Sequence, residues 1–345
     1  MQNNFWNQKR VLVTGATGLV GSWLVKALID KNAYVVALIR DTDPQSNFFR
    51  ENLSPYTTIV NGALENLYAL ERAINEHEVD TVFHLGAQTI VGTALRNPLP
   101  TFEANIRGTY NLLECCRLHR SLVKRIVVAS SDKAYGSSPQ LPYTEEMPLR
   151  GEHPYDVSKS CTDLLALSYY HTYQLPIGIA RCGNIYGGGD LNWSRIIPGT
   201  IKKLYHREAP EIRSNGLFTR DYIYVKDVVL AYLELAEQLN KESIQGEAFN
   251  FGPNQPYTVI DIVNKIQCIM GLSDIKPQIL NQAQAEIKDQ TLCSKKALEL
   301  LGWEPTYSFN DGLKETIEWY KFYLDQHQRE KNPCKKEIAA FAEIH

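Results

Sequence analysis

The stretch "VTGATGLVG", Val13–Gly21, decides the fold. Its glycines, Gly15, Gly18 and Gly21, follow the apolar run "KRVLVTG" (Lys9–Gly15) and open the segment "LVGSWLVKALIDK" (Leu19–Lys31). The run reads as a buried strand. The segment reads as a helix with Val20, Leu24, Ala27 and Leu28 on one face. Glycines at this spacing permit a tight turn and a close approach of backbone to a pyrophosphate. The helix N-terminus then adds unpaired N–H donors and the positive end of its dipole. A glycine pattern alone is weak, but this one has the required strand before it and helix after it. The competing reading is a purely structural glycine turn.

Outward from this turn the pattern repeats. "YVVALIR", "TTIV", "DTVFHLG", "RIVVASS" and "LPIGIARC" are short apolar strands, and helical stretches such as "ENLYALERAINEH" and "TFEANIRGTYNLLECCRLH" lie between them. That order predicts an α/β fold with a doubly wound parallel sheet. After Gly187 the chain changes character: "GGGDLNW" is a glycine-rich loop, and the segments to about Arg220 read as short and irregular. "VKDVVLAYLELAEQL" returns as a long amphipathic helix. The expected division is a dinucleotide-binding domain over 1–186, joined by 222–250. A smaller lobe spans 187–221 and 251–324, and a charged tail, 325–345, reads as a frayed helix. No internal repeat or low-complexity segment is seen.

Composition narrows the function. The chain has 345 residues, 44% hydrophobic and 22% charged, with a formal charge of −3. Nothing there offers a basic field for nucleic acid or anionic lipid. No apolar run of about 18 residues suggests a membrane span, and "MQNNFWNQKR" lacks the apolar core of a signal peptide. The seven cysteines are scattered without C-x-x-C or Cys/His ligand spacing, so reduced thiols in a cytoplasmic protein are expected and no metal site.

The second strand ends at Ile39-Arg40-Asp41. Asp41 at that tip suits the ribose 2′-hydroxyl of NAD, while Arg40 suits the 2′-phosphate of NADP. Arg40 is the better placed, which favours NADP; a solvated charged loop is the alternative.

Further on, "HPYDVSKS" contains Tyr155 and Lys159, one helical turn apart on the same face. An ammonium beside a phenol favours the phenolate and makes it a usable proton acceptor. "SSDKAYG" (Ser130–Gly136) follows the strand "RIVVA", so Ser131, Asp132 and Lys133 fall where such a sheet presents its chemistry. The bland reading of Asp132–Lys133 is an ion pair capping a strand end.

With these pieces the chain resembles the extended short-chain dehydrogenase/reductases that modify nucleotide-linked sugars. The motifs are "GATGLVG", "VFHLGAQ", "ANIRGTYNLLE", "SSDKAYG", "YDVSK", "RCGNIYGGGD", "RDYIYVKDVV" and "LGWEP", from about Lys9 to Leu324. The resemblance implies a Rossmann-type domain with a smaller lobe that holds the sugar nucleotide. It implies a hydride-transfer triad of Ser131, Tyr155 and Lys159, and a helix-kink asparagine at Asn105 that supports the site. Thr17, Leu19, Val20, Leu64, Leu85, Gly86 and Ala87 would line the cofactor. Gln88, Ser131, Asn184, Arg195, Arg213 and Arg220 would contact the substrate.

Asp-Lys after the triad hydroxyl resembles CDP-glucose and UDP-N-acetylglucosamine 4,6-dehydratases; 4-epimerases usually hold small or neutral residues there. The implied reaction oxidises C4, loses water across C5 and C6, and returns hydride to C6, giving an NDP-4-keto-6-deoxyhexose. Asp132 is expected as the acid and Lys133 as the C5 base, with the swapped assignment left open. "RCGNIYGGGDLNW" is close to the CDP-glucose version, whereas "RDYIYV" is the general family form, so the nucleotide base stays open. A 4-epimerase and an idle dinucleotide-binding module are the competing functions. A homodimer is expected through the helices of Asn105–His119 and Tyr155–Tyr173, with "LLECC" and "LLALSYY" on their exposed sides.

Overall fold

The computed structural model describes residues 4–282 and 286–331. Its main sheet has seven strands: β1 Arg10–Thr14, β2 Tyr34–Ile39, β3 Thr57–Asn61, β4 Thr81–His84, β5 Arg125–Ala129, β6 Ile177–Cys182 and, from later in the chain, Ala248–Phe251. Every pairing is parallel, in the order β3-β2-β1-β4-β5-β6 followed by Ala248–Phe251. Such strands are covered on both faces, so they read as uninterrupted apolar runs rather than alternating ones. Alternate side chains still go opposite ways. Val11 and Val13 enter the core on one side with Phe83 and Val127, while Leu12 enters the other with Val36, Val82 and Ile126.

The helix Leu19–Asp30 buries Leu24, Val25 and Leu28, with Val20 and Ala27 half-buried. Its stripe is therefore rotated slightly from the expected face. The strand order reverses between β1 and β4, which opens the crevice where ligands of such sheets bind.

A second, smaller layer sits beyond the carboxyl edge. Asn184–Tyr186 pairs parallel with Thr219–Tyr224, which pairs antiparallel with Pro256–Thr258; Glu211–Ile212 pairs with Gln278–Ile279. The segment expected to be irregular contains a helix, Ile196–Tyr205, packed by Ile197, Ile201 and Leu204. Pro198 and Gly199 obscure it in the sequence. Pro198 lies in the first turn, where a missing N–H breaks no intrahelical bond.

The helix Phe309–Lys331 runs without interruption past Asp325; the rest of the charged tail lies outside the described residues. The stretch around Asn105 is a π-helical turn, Glu103–Arg107, leading into the helix Gly108–Leu118. Leu112, Leu113, Cys115 and Cys116 are buried in the core rather than on the surface. On that helix Tyr110 and Leu118 are exposed, and on the helix Pro154–Tyr173 Leu164, from the stretch expected outside, and Tyr173 are exposed. Among the described residues no helix is long and apolar enough to cross a membrane.

Candidate active site

A cleft of about 1900 Å³ runs along the carboxyl edge, from the glycine turn to the smaller layer. Small-molecule pockets usually enclose about 300–1,000 Å³, so this one has room for two ligands end to end. Every residue put forward above for cofactor or substrate lines it, as do Ser131, Lys133, Tyr155 and Lys159. Asp132 does not.

At one end, Gly15 has φ +70°, and a Cβ there would meet the Gly86 backbone at 2.8 Å. A Cβ on Gly21 would strike the Gly15 carbonyl oxygen. The first strand, the turn and the start of β4's loop thus pack with no room for side chains. Gly18 caps the helix without a side-chain bond, and no acidic residue occupies the first turn. Its N–H groups are left for an anion, which fits a dinucleotide pyrophosphate. Arg40 and Asp41 pair with each other at 2.6 Å and are 67% and 71% exposed, so Arg40 is already engaged by a carboxylate.

The wall behind this end is set by a buried chain of hydrogen bonds. Thr14 Oγ1 accepts the Leu85 and Gly86 N–H groups at 3.1 and 3.0 Å, leaving its proton for His84 Nδ1 at 3.0 Å. His84 Nε2–H then donates to Thr109 Oγ1 at 2.9 Å, and Thr109 donates to the Asn105 carbonyl at 2.6 Å. This sequence of donors fixes a neutral His84. Burial first, and the Lys159 charge second, push its pKa down to about 3. Asn105 accepts the Gln88 N–H at 2.7 Å and donates to the Gln88 carbonyl at 3.0 Å and to Ser158 Oγ at 2.9 Å. It clamps the loop after β4 to the helix Pro154–Tyr173, which carries Tyr155 and Lys159.

Lys159 Nζ donates to the Ala129 carbonyl at 2.7 Å, and burial lowers its pKa to about 8. Burial raises the Tyr155 phenol; the charge of Arg195 and the Ser131 hydroxyl oppose it. Arg195 is thus one cation that favours the ionised phenol. Asp190 holds Arg195 at 2.9 Å.

The short 3₁₀ turn Asp132–Tyr135 follows β5. Asp132 is 1% exposed and tucked behind Ser131, whose hydroxyl donates to its Oδ1 at 2.9 Å. Lys133 reaches the cleft. Its Nζ lies 3.3 Å from Asn184 Oδ1, 3.3 Å from Gln290 Oε1 and 3.7 Å from Asp132 Oδ1. The two amide oxygens accept hydrogen bonds from Nζ, and the Asp132 carboxylate adds an ion-pair contact beyond hydrogen-bond reach. Tyr135 faces away, bonded to Asn250 and Arg181 and stacked on Tyr143.

On the substrate side, Arg213 donates to the Ser194 carbonyl at 3.0 Å. Arg220 is buried, donates to the Thr219, Ile287 and Lys288 carbonyls and lies 4.0 Å from the Glu286 carboxylate through Nη2, which leaves its Nε–H for a ligand. Gln290, an amide in a loop, carries no local signal in the sequence. Asp190 was visible only as the residue that ends a glycine triplet.

The GDP-mannose 4,6 dehydratase family matches residues 12–316. The chain belongs to that family. Members of this family and their structural relatives include both dehydratases and epimerases. The chain is 30% identical to the CDP-glucose 4,6-dehydratase of Salmonella typhimurium, over 94% of each chain. The UDP-glucose 4-epimerase of Thermotoga maritima, solved with UDP-glucose, superposes with a TM-score of 0.83 at 29% identity, covering 91% of this chain and 99% of that one. The dTDP-glucose 4,6-dehydratase of Bacillus anthracis, solved with NAD, gives 0.81 at 27%, covering 91% and 96%. The GDP-mannose 4,6 dehydratase family thus accounts for the Rossmann-type sheet and for an enzyme of nucleotide-sugar dehydratase or epimerase type.

Proposed function

We propose that the chain is a nucleotide-sugar 4,6-dehydratase, with CDP-glucose as the first substrate to test and NAD as cofactor. The observation that carries this is Lys133, whose Nζ is bonded to two amide oxygens and paired with Asp132 in the cleft wall beside Ser131 and Tyr155. Epimerisation at C4 needs a proton acceptor for O4 and nothing at C6, whereas departure of a C6 hydroxyl needs a proton donor. NAD is chosen over the NADP expected from Arg40 because Arg40 is engaged by Asp41, and the similar B. anthracis enzyme was solved with NAD.

A nicotinamide dinucleotide bound at the glycine turn would supply the hydride acceptor for C4 and the later donor for C6. Tyr155 takes the O4 proton, with Arg195 and Ser131 favouring its ionised form. Lys133 gives its proton to the departing hydroxyl, the reverse of the role expected from sequence. Asp132, walled off behind Ser131, steadies that ammonium and orients the triad hydroxyl. Removal of the C5 proton needs a separate base that faces the hexose.

Arg195, Arg213 and Arg220 supply positive charge for the diphosphate, and Gln88 and Asn184 complete the sugar end. The substrate lobe of 187–221 and 251–324, and a homodimer through Gly108–Leu118 and Pro154–Tyr173, belong to the same proposal. Exposed Leu118, Leu164 and Tyr173 support the dimer.

The test is incubation with CDP-, dTDP-, UDP- and GDP-glucose in deuterated buffer, followed by NMR. A 4-keto-6-deoxy sugar with deuterium at C5 is expected. A C4 epimer free of deuterium would establish the epimerase instead, the reading that the T. maritima likeness favours.

A further inference from the structure

We infer that Gln290 is a positioning residue for the water-loss step, holding Lys133 at the reach and in the charged form that the step uses; the inference rests on the dehydratase reading. Gln290 is 1% exposed and lines the cleft with Ser131, Lys133 and Asn184. Lys133 Nζ donates to its Oε1 at 3.3 Å. An ammonium has donors only, so the amide turns its oxygen toward Lys133 and its Nε2 away. That nitrogen is buried and has no hydrogen-bond partner. Leaving amide N–H groups unbonded in the interior costs free energy, and a leucine of similar size would avoid the cost. The oxygen that faces Lys133 accounts for an amide at this place.

The backbone that carries Gln290 is fixed on both edges. On one, the Gln290 N–H donates to the Thr219 carbonyl at 3.1 Å, and the Leu292 N–H donates to Asp221 Oδ2 at 2.6 Å. On the other, the Tyr143 N–H donates to the Thr291 carbonyl at 2.7 Å, and the Cys293 N–H donates to the Tyr143 carbonyl at 2.8 Å. Tyr143 also donates its phenol proton to the Gly136 carbonyl at 2.6 Å and stacks on Tyr135, in the turn that carries Lys133. Loop and turn are therefore joined through Tyr143. The stem of a lysine is flexible, and the oxygens of Gln290 and Asn184, each on anchored backbone, select one reach for it.

An acceptor on Nζ also favours its charged form. The charged groups that act on Lys133 are Asp132 on its own turn, at 3.7 Å, and Asp156 on the helix Pro154–Tyr173. A change at Gln290 touches neither, so its effect on the Lys133 proton is its own.

The experiment compares wild type, Gln290→Leu and Gln290→Glu across pH with CDP-glucose; dTDP-, UDP- and GDP-glucose take its place in turn if wild type leaves it unchanged. C4 oxidation is followed by the absorbance of reduced nicotinamide, keto sugar by NMR and affinity by calorimetric titration. Gln290→Leu is expected to unfold in denaturant no earlier than wild type, and to bind the substrate and oxidise C4 as wild type does. It is expected to form keto sugar about 10²-fold more slowly, the loss that follows a misplacement of about 1 Å. The limb of the pH profile that disappears in Lys133→Met should move to lower pH in Gln290→Leu. It should move to higher pH in Gln290→Glu, whose carboxylate holds the ammonium more firmly. Keto sugar formed by Gln290→Leu at the wild-type rate overturns the inference. So does a fall in affinity or in C4 oxidation as large as the fall in product, which marks a scaffold or substrate-binding role. Should Gln290→Leu fail to fold, the limb in Gln290→Glu decides: a move to higher pH supports the role, and an unmoved limb sinks it. If wild type makes no keto sugar from any of the four, the dehydratase reading itself falls, and the role of Gln290 with it.

Discussion

Replacing Lys159 by methionine should abolish turnover and yet leave the folded protein no less stable near neutral pH. Lys159 is buried, and its pKa is lowered to about 8 from 10.5, chiefly by desolvation. That difference corresponds to about 3 kcal/mol of penalty for keeping the charge inside, at about 1.4 kcal/mol per pKa unit. Methionine has a similar length and carries no charge, so it removes the penalty. It also leaves the Ala129 carbonyl without its 2.7 Å donor, which costs about 1–3 kcal/mol. At pH 7 the two effects nearly offset each other.

The pH dependence isolates the first effect. Below pH 8 the lysine is charged in both folded and unfolded chains, and wild type bears the whole penalty. Between pH 8 and 10.5 the unfolded chain holds a proton that the folded one has released, so wild-type stability rises with pH. Denaturant unfolding of both proteins across that window should show wild type gaining about 3 kcal/mol on Lys159→Met. Other lysines titrate equally in the two proteins and cancel. A difference that stays flat from pH 7 to beyond 10.5 would refute the claim that Lys159 carries its charge at a cost.

Gly21→Ala should lose dinucleotide binding in a fluorescence titration, because its methyl meets the Gly15 carbonyl; undiminished affinity would mean the turn is not the pyrophosphate site. Lys133→Met should keep C4 oxidation but slow water loss by about 10²–10⁴-fold, read as reduced nicotinamide that persists after CDP-glucose is added. His84 should stay neutral by NMR well below pH 6.5, since its folded pKa is about 3. The unfolded chain binds that proton first, so the stability His84 contributes is complete above pH 6.5 and is lost, by up to about 5 kcal/mol, as pH falls toward 3; an imidazole titrating near its ordinary value would contradict the buried chain. Leu164→Glu, on an exposed helix face, should convert a dimer to monomer in size-exclusion chromatography without loss of helix content, and an unchanged elution volume would place any interface elsewhere.

What the sequence disclosed and what it hid follow from the reach of each signal. The strands were legible because parallel strands covered on both faces cannot alternate, and "VVALI" or "RIVVA" admits little else. The glycine turn and the Tyr155–Lys159 spacing were legible because each is a local geometry. The helix Ile196–Tyr205 was hidden, since Pro198 and Gly199 speak against a helix although a first turn accepts them. Contacts across the chain left no trace: Gln290, which fixes Lys133, is 157 residues away from it in sequence.

Adjacency in the sequence is the weakest guide to placement. "SSDKAYG" presents Asp132 and Lys133 as one unit, and a common role in the cleft is the natural reading. The turn they form has about three residues per turn, so neighbouring side chains leave it about 120° apart. Asp132 therefore goes under Ser131 while Lys133 goes into the cleft. The helix that begins at Pro154 separates its neighbours in the same way, by about 100° per residue, so the residues it brings onto one face are Tyr155 and Lys159, one turn apart. Asp132, the residue next to Lys133 in the sequence, stays 3.7 Å from its Nζ and keeps one carboxylate oxygen, Oδ2, without a hydrogen-bond partner.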